Sequence, residues 1–202
     1  RVQGAPEGVK GLSLFIVPKY LVRADGTLGP NNDLRCVSLE HKLGIHASPT
    51  AVMSYGDNDG AIGYLVGQEN RGVEYMFTMM NNARLAVGLE GVAIAERAYQ
   101  QAREYAANRI QGWTVDGAPA TLDRHFDVRR TLMTMKCRIE AMRALAYSVA
   151  ASLDIARCHP DCETRVRQRS RLALLVPVVK AWSTDQGVEI ASMGVQIHGG
   201  AG

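Results

Sequence analysis

The sequence predicts an α+β fold: the end of an antiparallel β-domain followed by an up-down α-helical bundle, truncated at both ends. Three observations carry this. Up to about residue 70, short β-forming runs alternate with clusters of Gly, Pro, Asn and Asp. After Gly72 the apolar period changes from two to about 3.6 and stays there. The helical patterns that follow are long and lie close together along the chain, as antiparallel bundle neighbours do. Two domains are expected, residues 1–71 as the C-terminal part of a β-domain and residues 72–202 as an incomplete helical bundle.

Taken in order, Gly11–Val17 is a short apolar run that stops at Pro18 and reads as a buried strand. Asp25-Gly26 through Asn32-Asp33 is turn chemistry. Strands are expected over Leu34–Leu39, Thr50–Tyr55 and Tyr64–Val66. The first helix is expected over Val73–Asn108, with a stripe of small residues (Gly88, Gly91, Ala95, Ala98, Ala102, Ala106) that lets a second backbone or a flat ligand come close. The second, over Asp127–Arg157, carries Val128, Leu132, Met135, Ile139, Met142, Ala146, Val149, Leu153 and Ala156 at alternating steps of four and three. The third, from about Glu163 to Ser192, puts Leu172, Leu175, Val179 and Trp182 on one face and predicts a kink at Pro177. The chain opens on Arg1 and closes on Gly199-Gly200-Ala201-Gly202, so it is expected to be an internal piece of a longer protein, with a fourth bundle helix outside it.

Composition narrows the classes. With 47% hydrophobic and 21% charged residues, the 202-residue chain reads as an ordinary globular protein, not a disordered or low-complexity one. No apolar run approaches the roughly 18 residues that a membrane span needs. The net charge of +3 lies in the second part: residues 1–80 hold 7 basic and 8 acidic side chains, residues 81–202 hold 16 and 12. A phosphate-bearing small molecule suits this balance at least as well as nucleic acid. Four scattered cysteines form no secreted disulfide framework, so a reducing, cytoplasmic compartment is expected.

Several constellations are weighed and set aside. Cys158-His159-Pro160-Asp161-Cys162 has a spacing that zinc tolerates but no second ligand pair, so no metal site is expected. No Gly-x-Ser-x-Gly elbow, Walker loop or Gly-x-Gly-x-x-Gly occurs. Arg165, Arg167, Arg169 and Arg171 advance by about 200° per step and scatter around their helix, so they form no nucleic-acid face.

Residues at element ends say more. Arg84 stands beside the small-residue stripe; Arg109, Gln111 and Gly112 follow where the first helix runs out into a loop; Gln196, Gly199 and Gly200 close the chain. Arginine forks and glycine-loop amides are natural partners of pyrophosphate. With Lys42-Leu43-Gly44 and Ser48-Pro49-Thr50, Gly67-x-x-Asn70-Arg71-Gly72, Asn81-x-x-Arg84, Arg109-x-Gln111-Gly112 and Gln196-x-x-Gly199-Gly200, in that order, the chain closely resembles the acyl-CoA dehydrogenase family, and within it a long branch. The match runs along essentially all 202 residues, which correspond to the later part of that family's middle β-domain and most of its helical domain.

The resemblance implies FAD as cofactor and α,β-dehydrogenation of an acyl-CoA thioester, with a glutamate removing the α-proton while the β-hydrogen passes as hydride to the flavin. It implies that Arg109, Gln111, Gly112, Gln196, Gly199 and Gly200 meet FAD across a subunit boundary of a homo-oligomer (dimer or tetramer). Arg84 would line the substrate pocket, Ser48, Pro49 and Thr50 would fall on a strand near the site, and an electron-transfer flavoprotein would be the acceptor. The chain departs from the family in two respects: the upstream β-domain segments that hold the flavin ring are not in it, and where some members carry the base just before the arginine that matches Arg84, Ala83 stands here. The catalytic base is therefore expected beyond Gly202. The alternative is a non-catalytic or DNA-associated flavoprotein relative of the same fold.

Overall fold

The computed structural model describes residues 1–202, which form two compact units, Arg1–Thr78 and Met79–Gly202. The first unit holds six short strands, β1 (Leu14–Ile16), β2 (Tyr20–Val22), β3 (Leu28–Asn31), β4 (Leu34–Leu39), β5 (Ala51–Tyr55) and β6 (Tyr64–Val66). They pair antiparallel as β1–β6, β2–β3 and β4–β5, with Leu14 opposite Val66, Tyr20 opposite Asn31 and Leu34 opposite Tyr55. The chain then enters α1 (Gly72–Asn108), whose first turns belong to this unit.

The stretch read as a strand from Gly11 is shorter than expected. A 3₁₀ turn, Gly8–Gly11, comes first, and Gly11 lies so close to Pro6 that no side chain fits. The Asp25-Gly26 turn is the tip of a hairpin that the sequence analysis did not resolve: Arg23 N–H donates to Thr27 O at 2.9 Å, and the Asp25 carboxylate accepts from both the N–H and the hydroxyl of Thr27. Asn32, 3% exposed, ties these pieces together. Its side-chain amide donates to Pro18 O (3.0 Å) and Ile62 O (2.9 Å), and its Oδ1 accepts from Ile62 N–H (2.9 Å). A buried amide with three bonds is satisfied, so the first unit is organised around a polar knot. At the entrance to α1, Asn70 takes a left-handed φ of 64° and its N–H donates to Ser13 Oγ, while Arg71 pairs with Glu74.

The second unit contains the rest of α1, the hairpin β7 (Ile110–Trp113) and β8 (Pro119–Thr121), α2 (Phe126–Cys158) and α3 (Cys162–His198). Its core has two neighbouring clusters. Val92, Ala95, Ala102 and Ala106 of α1 meet Met135, Ile139 and Met142 of α2 and Ile190 and Ile197 of α3; further along, Leu85 meets Ala146, Val149, Val176 and Val179. The four-three pattern of α2 is therefore its buried face, with Val128, Leu132 and Leu153 at the margins and one substitution, buried Ser152.

The stripe of small residues on α1 receives a backbone. A Cβ added to Gly91 would stand 2.4 Å from Ser183 O, and one added to Gly187 would stand 3.1 Å from Gly91 O, so α1 and α3 touch main chain to main chain. α3 also runs six residues past its expected end, because Gly187 and Gly194, poor helix formers, serve as contact points rather than stops. It passes through Pro177 as one helix. Pro177 and Ala173 are both exposed, so water can satisfy the carbonyl that the missing N–H leaves. Between α2 and α3 the Cys158–Cys162 stretch is a cap: the Asp161 carboxylate accepts from Thr164 N–H at 2.8 Å, and Arg165 donates to the carbonyls of His159 and Pro160.

Candidate functional site

The up-down-up course of the three helices brings the end of α1, the start of α2 and the end of α3 to one end of the second unit. A cavity of about 550 Å³ lies there. Tyr105 enters it from α1, Arg109 from the residue after that helix, Gln111 from the hairpin, Asp127, Val128 and Thr131 from the first turns of α2, and Gln196, His198, Gly199 and Gly200 from the end of α3; Leu122 and Ile197 supply apolar wall. Five of the six residues expected to hold the cofactor thus line one space.

Helical spacing explains the convergence. Arg109 follows α1 directly, one turn beyond Tyr105, and its N–H still donates to Tyr105 O at 2.9 Å. Asp127 and Thr131 stand in the same relation on α2, where Thr131 Oγ1 donates to Asp127 O. On α3 the His198 ring stacks on Tyr105 with centroids 4.6 Å apart, and its Nδ1–H donates to Gly194 O at 2.8 Å, which leaves Nε2 as the ring's other polar atom. Gly199 ends α3 at φ 60°, and a Cβ at either Gly199 or Gly200 would meet nothing within 4 Å, so both backbones stand open.

The sixth residue, Gly112, does not line the cavity. It turns the hairpin at φ 77°, and a Cβ on it would stand 3.3 Å from the His125 ring. What the sequence analysis took for a loop after α1 is this hairpin, with Ile110 opposite Thr121 and Trp113 opposite Pro119. Arg84 also lies apart from the cavity. It is half-buried on α1, and its Nη1 donates to Asn81 Oδ1 at 3.2 Å. Ser48, Pro49 and Thr50 precede β5 in an exposed loop, braced by Lys42, whose ammonium donates to the carbonyls of Ile45 and Ser48.

Tyr105, Asp127, Thr131 and His198 were missed as lining residues. Each had a signal: Tyr105 stands one turn before Arg109, His198 lies inside the Gln-Ile-His-Gly-Gly string, and Asp127 and Thr131 open the second helix. No group of three or more His, Cys, Asp or Glu side chains is placed to hold a metal ion, and the four cysteines are unpaired and exposed. No helix is long and apolar enough to cross a membrane.

The donor set fits one end of a dinucleotide. A guanidinium and two open glycine backbones suit a diphosphate, hydroxyl and carboxylate oxygens suit a ribose diol, and paired aromatic rings give a base a flat surface. The volume is that of a pocket for a small molecule, enough for part of such a ligand.

Residues 70–202 match the family described as acyl-CoA dehydrogenase, C-terminal domain. The whole chain is 54% identical to 3-methylmercaptopropionyl-CoA dehydrogenase of Ruegeria pomeroyi, and 98% of it aligns at 34% identity with a butyryl-CoA dehydrogenase of Syntrophomonas wolfei; it spans about a third (34%) of the length of each. Among solved structures, Caenorhabditis elegans ACDH-11 in complex with C11-CoA superposes with a TM-score of 0.77 at 28% identity, over 96% of this chain and 30% of that one. The fold, the order of motifs and these matches agree, and the chain belongs to the acyl-CoA dehydrogenase family.

Proposed function

We propose that this chain is part of an FAD-dependent acyl-CoA dehydrogenase, with residues 1–71 closing the middle β-domain and residues 72–202 forming the C-terminal helical domain. The observation that carries the reading is the convergence of Arg109, Gln111, Gln196, Gly199 and Gly200 on one cavity of a chain of this family. When bound, the flavin supplies the acceptor for a hydride from the substrate β-carbon.

The residues described above divide the remaining work. Arg109 offers a fixed fork of N–H donors to a phosphate, and the backbone at Gly199 and Gly200 allows close approach. Gln111 and Gln196 contribute amides that donate and accept, and Asp127 and Thr131 meet hydroxyl groups. Gly112 acts on the cofactor through the hairpin turn rather than by contact. Arg84, on α1, is proposed to line the acyl-CoA pocket, where Asn81 holds its guanidinium. No residue of the chain is assigned as the base that removes the α-proton.

A homo-oligomer in which this cavity serves a neighbouring subunit's cofactor, an electron-transfer flavoprotein as acceptor, a role in fatty-acid metabolism and a cytoplasmic location complete the proposal. The test is FAD retention by the full-length protein. Arg109→Ala and Gln196→Ala are expected to lower the flavin-to-protein ratio after dialysis. Loss of a hydrogen bond to a charged group costs about 1.5–3 kcal/mol, which weakens FAD binding roughly 10- to 150-fold. A parental ratio in both variants would overturn the reading.

A further inference from the structure

We propose that His125 is a positioning residue for the cofactor: its ring fastens the hairpin wall of the cavity to the α2 wall and so fixes how Arg109 and Gln111 face the ligand. The proposal rests on the assignment of the cavity to FAD.

His125 occupies the N-cap position of α2, where a side chain ordinarily accepts from an N–H of its own helix. It makes no such bond. Its backbone keeps the extended shape of a cap, φ −78° and ψ 134°, while the ring turns to the hairpin, where Nε2–H donates to Gln111 O at 2.8 Å. This bond falls where the β7–β8 ladder loses register, between Ile110 and Trp113. The same ring lies against Gly112, where a Cβ would approach Cε1 to 3.3 Å and Nε2 to 3.6 Å. Gly112 therefore satisfies two demands, a φ of 77° and room for an imidazole.

The residues on either side of this contact carry its consequence. Arg109, the residue between α1 and the hairpin, and Gln111 of the hairpin line the cavity, and Arg109 O accepts from Leu122 N–H at 2.9 Å. On the helix, Asp127 and Val128, two and three residues after His125, line it from across. One imidazole thus joins the peptide of one lining residue to the turn that carries two others. Without it, the Gln111 peptide loses its tie to the start of α2, and the ligand must then order more of that segment on binding.

The experiment compares His125→Phe with His125→Gln in the full-length protein. Phenylalanine keeps a ring against Gly112 but removes the donor; glutamine carries an amide N–H near the position of Nε2. FAD is titrated into the apoprotein by quenching of flavin fluorescence, and amide exchange is followed by mass spectrometry in the peptide spanning 110–121. H125F is expected to raise the Kd for FAD by about three- to tenfold, the range of one neutral hydrogen bond, and to speed exchange in that peptide. H125Q is expected to bind FAD within about twofold of the parent, with both apoproteins melting close to the parent. Parental affinity in H125F overturns the proposal, as does equal weakening in both variants with a shared fall in melting temperature, which would mark the ring as packing alone. Should H125F fail to fold, an H125Q that loses more than about twofold also overturns it. Arg109→Ala separates the two levels: if it weakens FAD binding and H125F does not, the role of His125 fails while the cavity keeps its assignment; if neither does, both fail.

Discussion

Two chemically identical changes, Gly91→Ala and Gly194→Ala, should move stability in opposite directions. Both glycines are buried in helices of the second unit, and both changes gain about 0.8–1 kcal/mol of helix propensity. The spaces they face differ. At Gly91 the new Cβ would stand 2.4 Å from Ser183 O, 2.7 Å from Ser183 C and 3.0 Å from Thr184 N, all main-chain atoms that cannot rotate aside. Ordinary contact begins near 3.4 Å, so α1 and α3 must part by about 1 Å. Parting them loosens Leu85, Val92, Val179 and Ile190 together. Overpacking of this kind costs about 1–3 kcal/mol and more where backbone must move, so G91A is expected to lose about 1–2 kcal/mol net. At Gly194 the nearest atom is Ala98 Cβ at 3.5 Å, an ordinary contact, so most of the propensity gain survives and G194A is expected to be neutral or stabilised by up to about 1 kcal/mol. Urea unfolding at 25 °C, followed by far-UV circular dichroism with a common slope, measures the difference. A G91A midpoint at or above the parent's, or a G194A loss as large as that of G91A, would refute the account of the α1–α3 contact.

Two further outcomes follow from ion pairing and capping. Glu96 accepts from Gln100 Nε2 (2.9 Å) and from Arg143 Nη2 (2.5 Å), and these bonds, in that order, hold its carboxyl below the ordinary value of 4.5. A depressed carboxyl stabilises the fold above its unfolded-state pKa and loses that contribution as pH falls through the folded value. With side chains 28% and 34% exposed, the pair should contribute a few tenths to about 1 kcal/mol. Glu96→Gln is therefore expected to cost that much at pH 7, with the gap to the parent closing below about pH 4.5; an equal gap in melts at pH 3 and pH 7 would contradict it. Asp161→Ala should cost about 1 kcal/mol by removing the cap on Thr164 N–H, whereas Asp161→Asn should keep most of it, and equal melting temperatures for the two would count against the cap.

How far the fold could be read from the sequence depended on the range of the forces involved. Strands Leu34–Leu39 and Tyr64–Val66, and the buried face of α2, followed from local alternation and heptad steps. The hairpins at Tyr20–Asn31 and Ile110–Thr121 did not. Their strands are three or four residues long, they include Gly29, Pro30 and Gly112, and distant side chains help to hold them: Asn32 reaches Ile62, and His125 reaches back to Gln111. Nothing local marks such a bond. The end of α3 was misjudged for a related reason, since Gly187 and Gly194 lower helix propensity until the partner helix is seen to require them. Within the second unit, the family motifs picked out Arg109, Gln111, Gln196, Gly199 and Gly200, which share one cavity, and Gly112, which lies against the His125 ring.

The odd number of helices in the second unit has an electrostatic consequence for the cavity at their shared end. Each helix presents roughly half a negative charge at its C-terminus and half a positive charge at its N-terminus. The ends of α1 and α3 and the start of α2 therefore leave a net deficit of about half a charge, so the helix dipoles together do not attract an anion. At the start of α2 the Asp127 carboxylate offsets the positive helix end, and at the ends of α1 and α3 the backbone carbonyls beside Tyr105 and Gln196 are negative. The attraction an anion meets in this cavity therefore comes from the fork of Arg109 and not from the helix ends, and the flat surface open to an uncharged ring is the stacked pair of Tyr105 and His198.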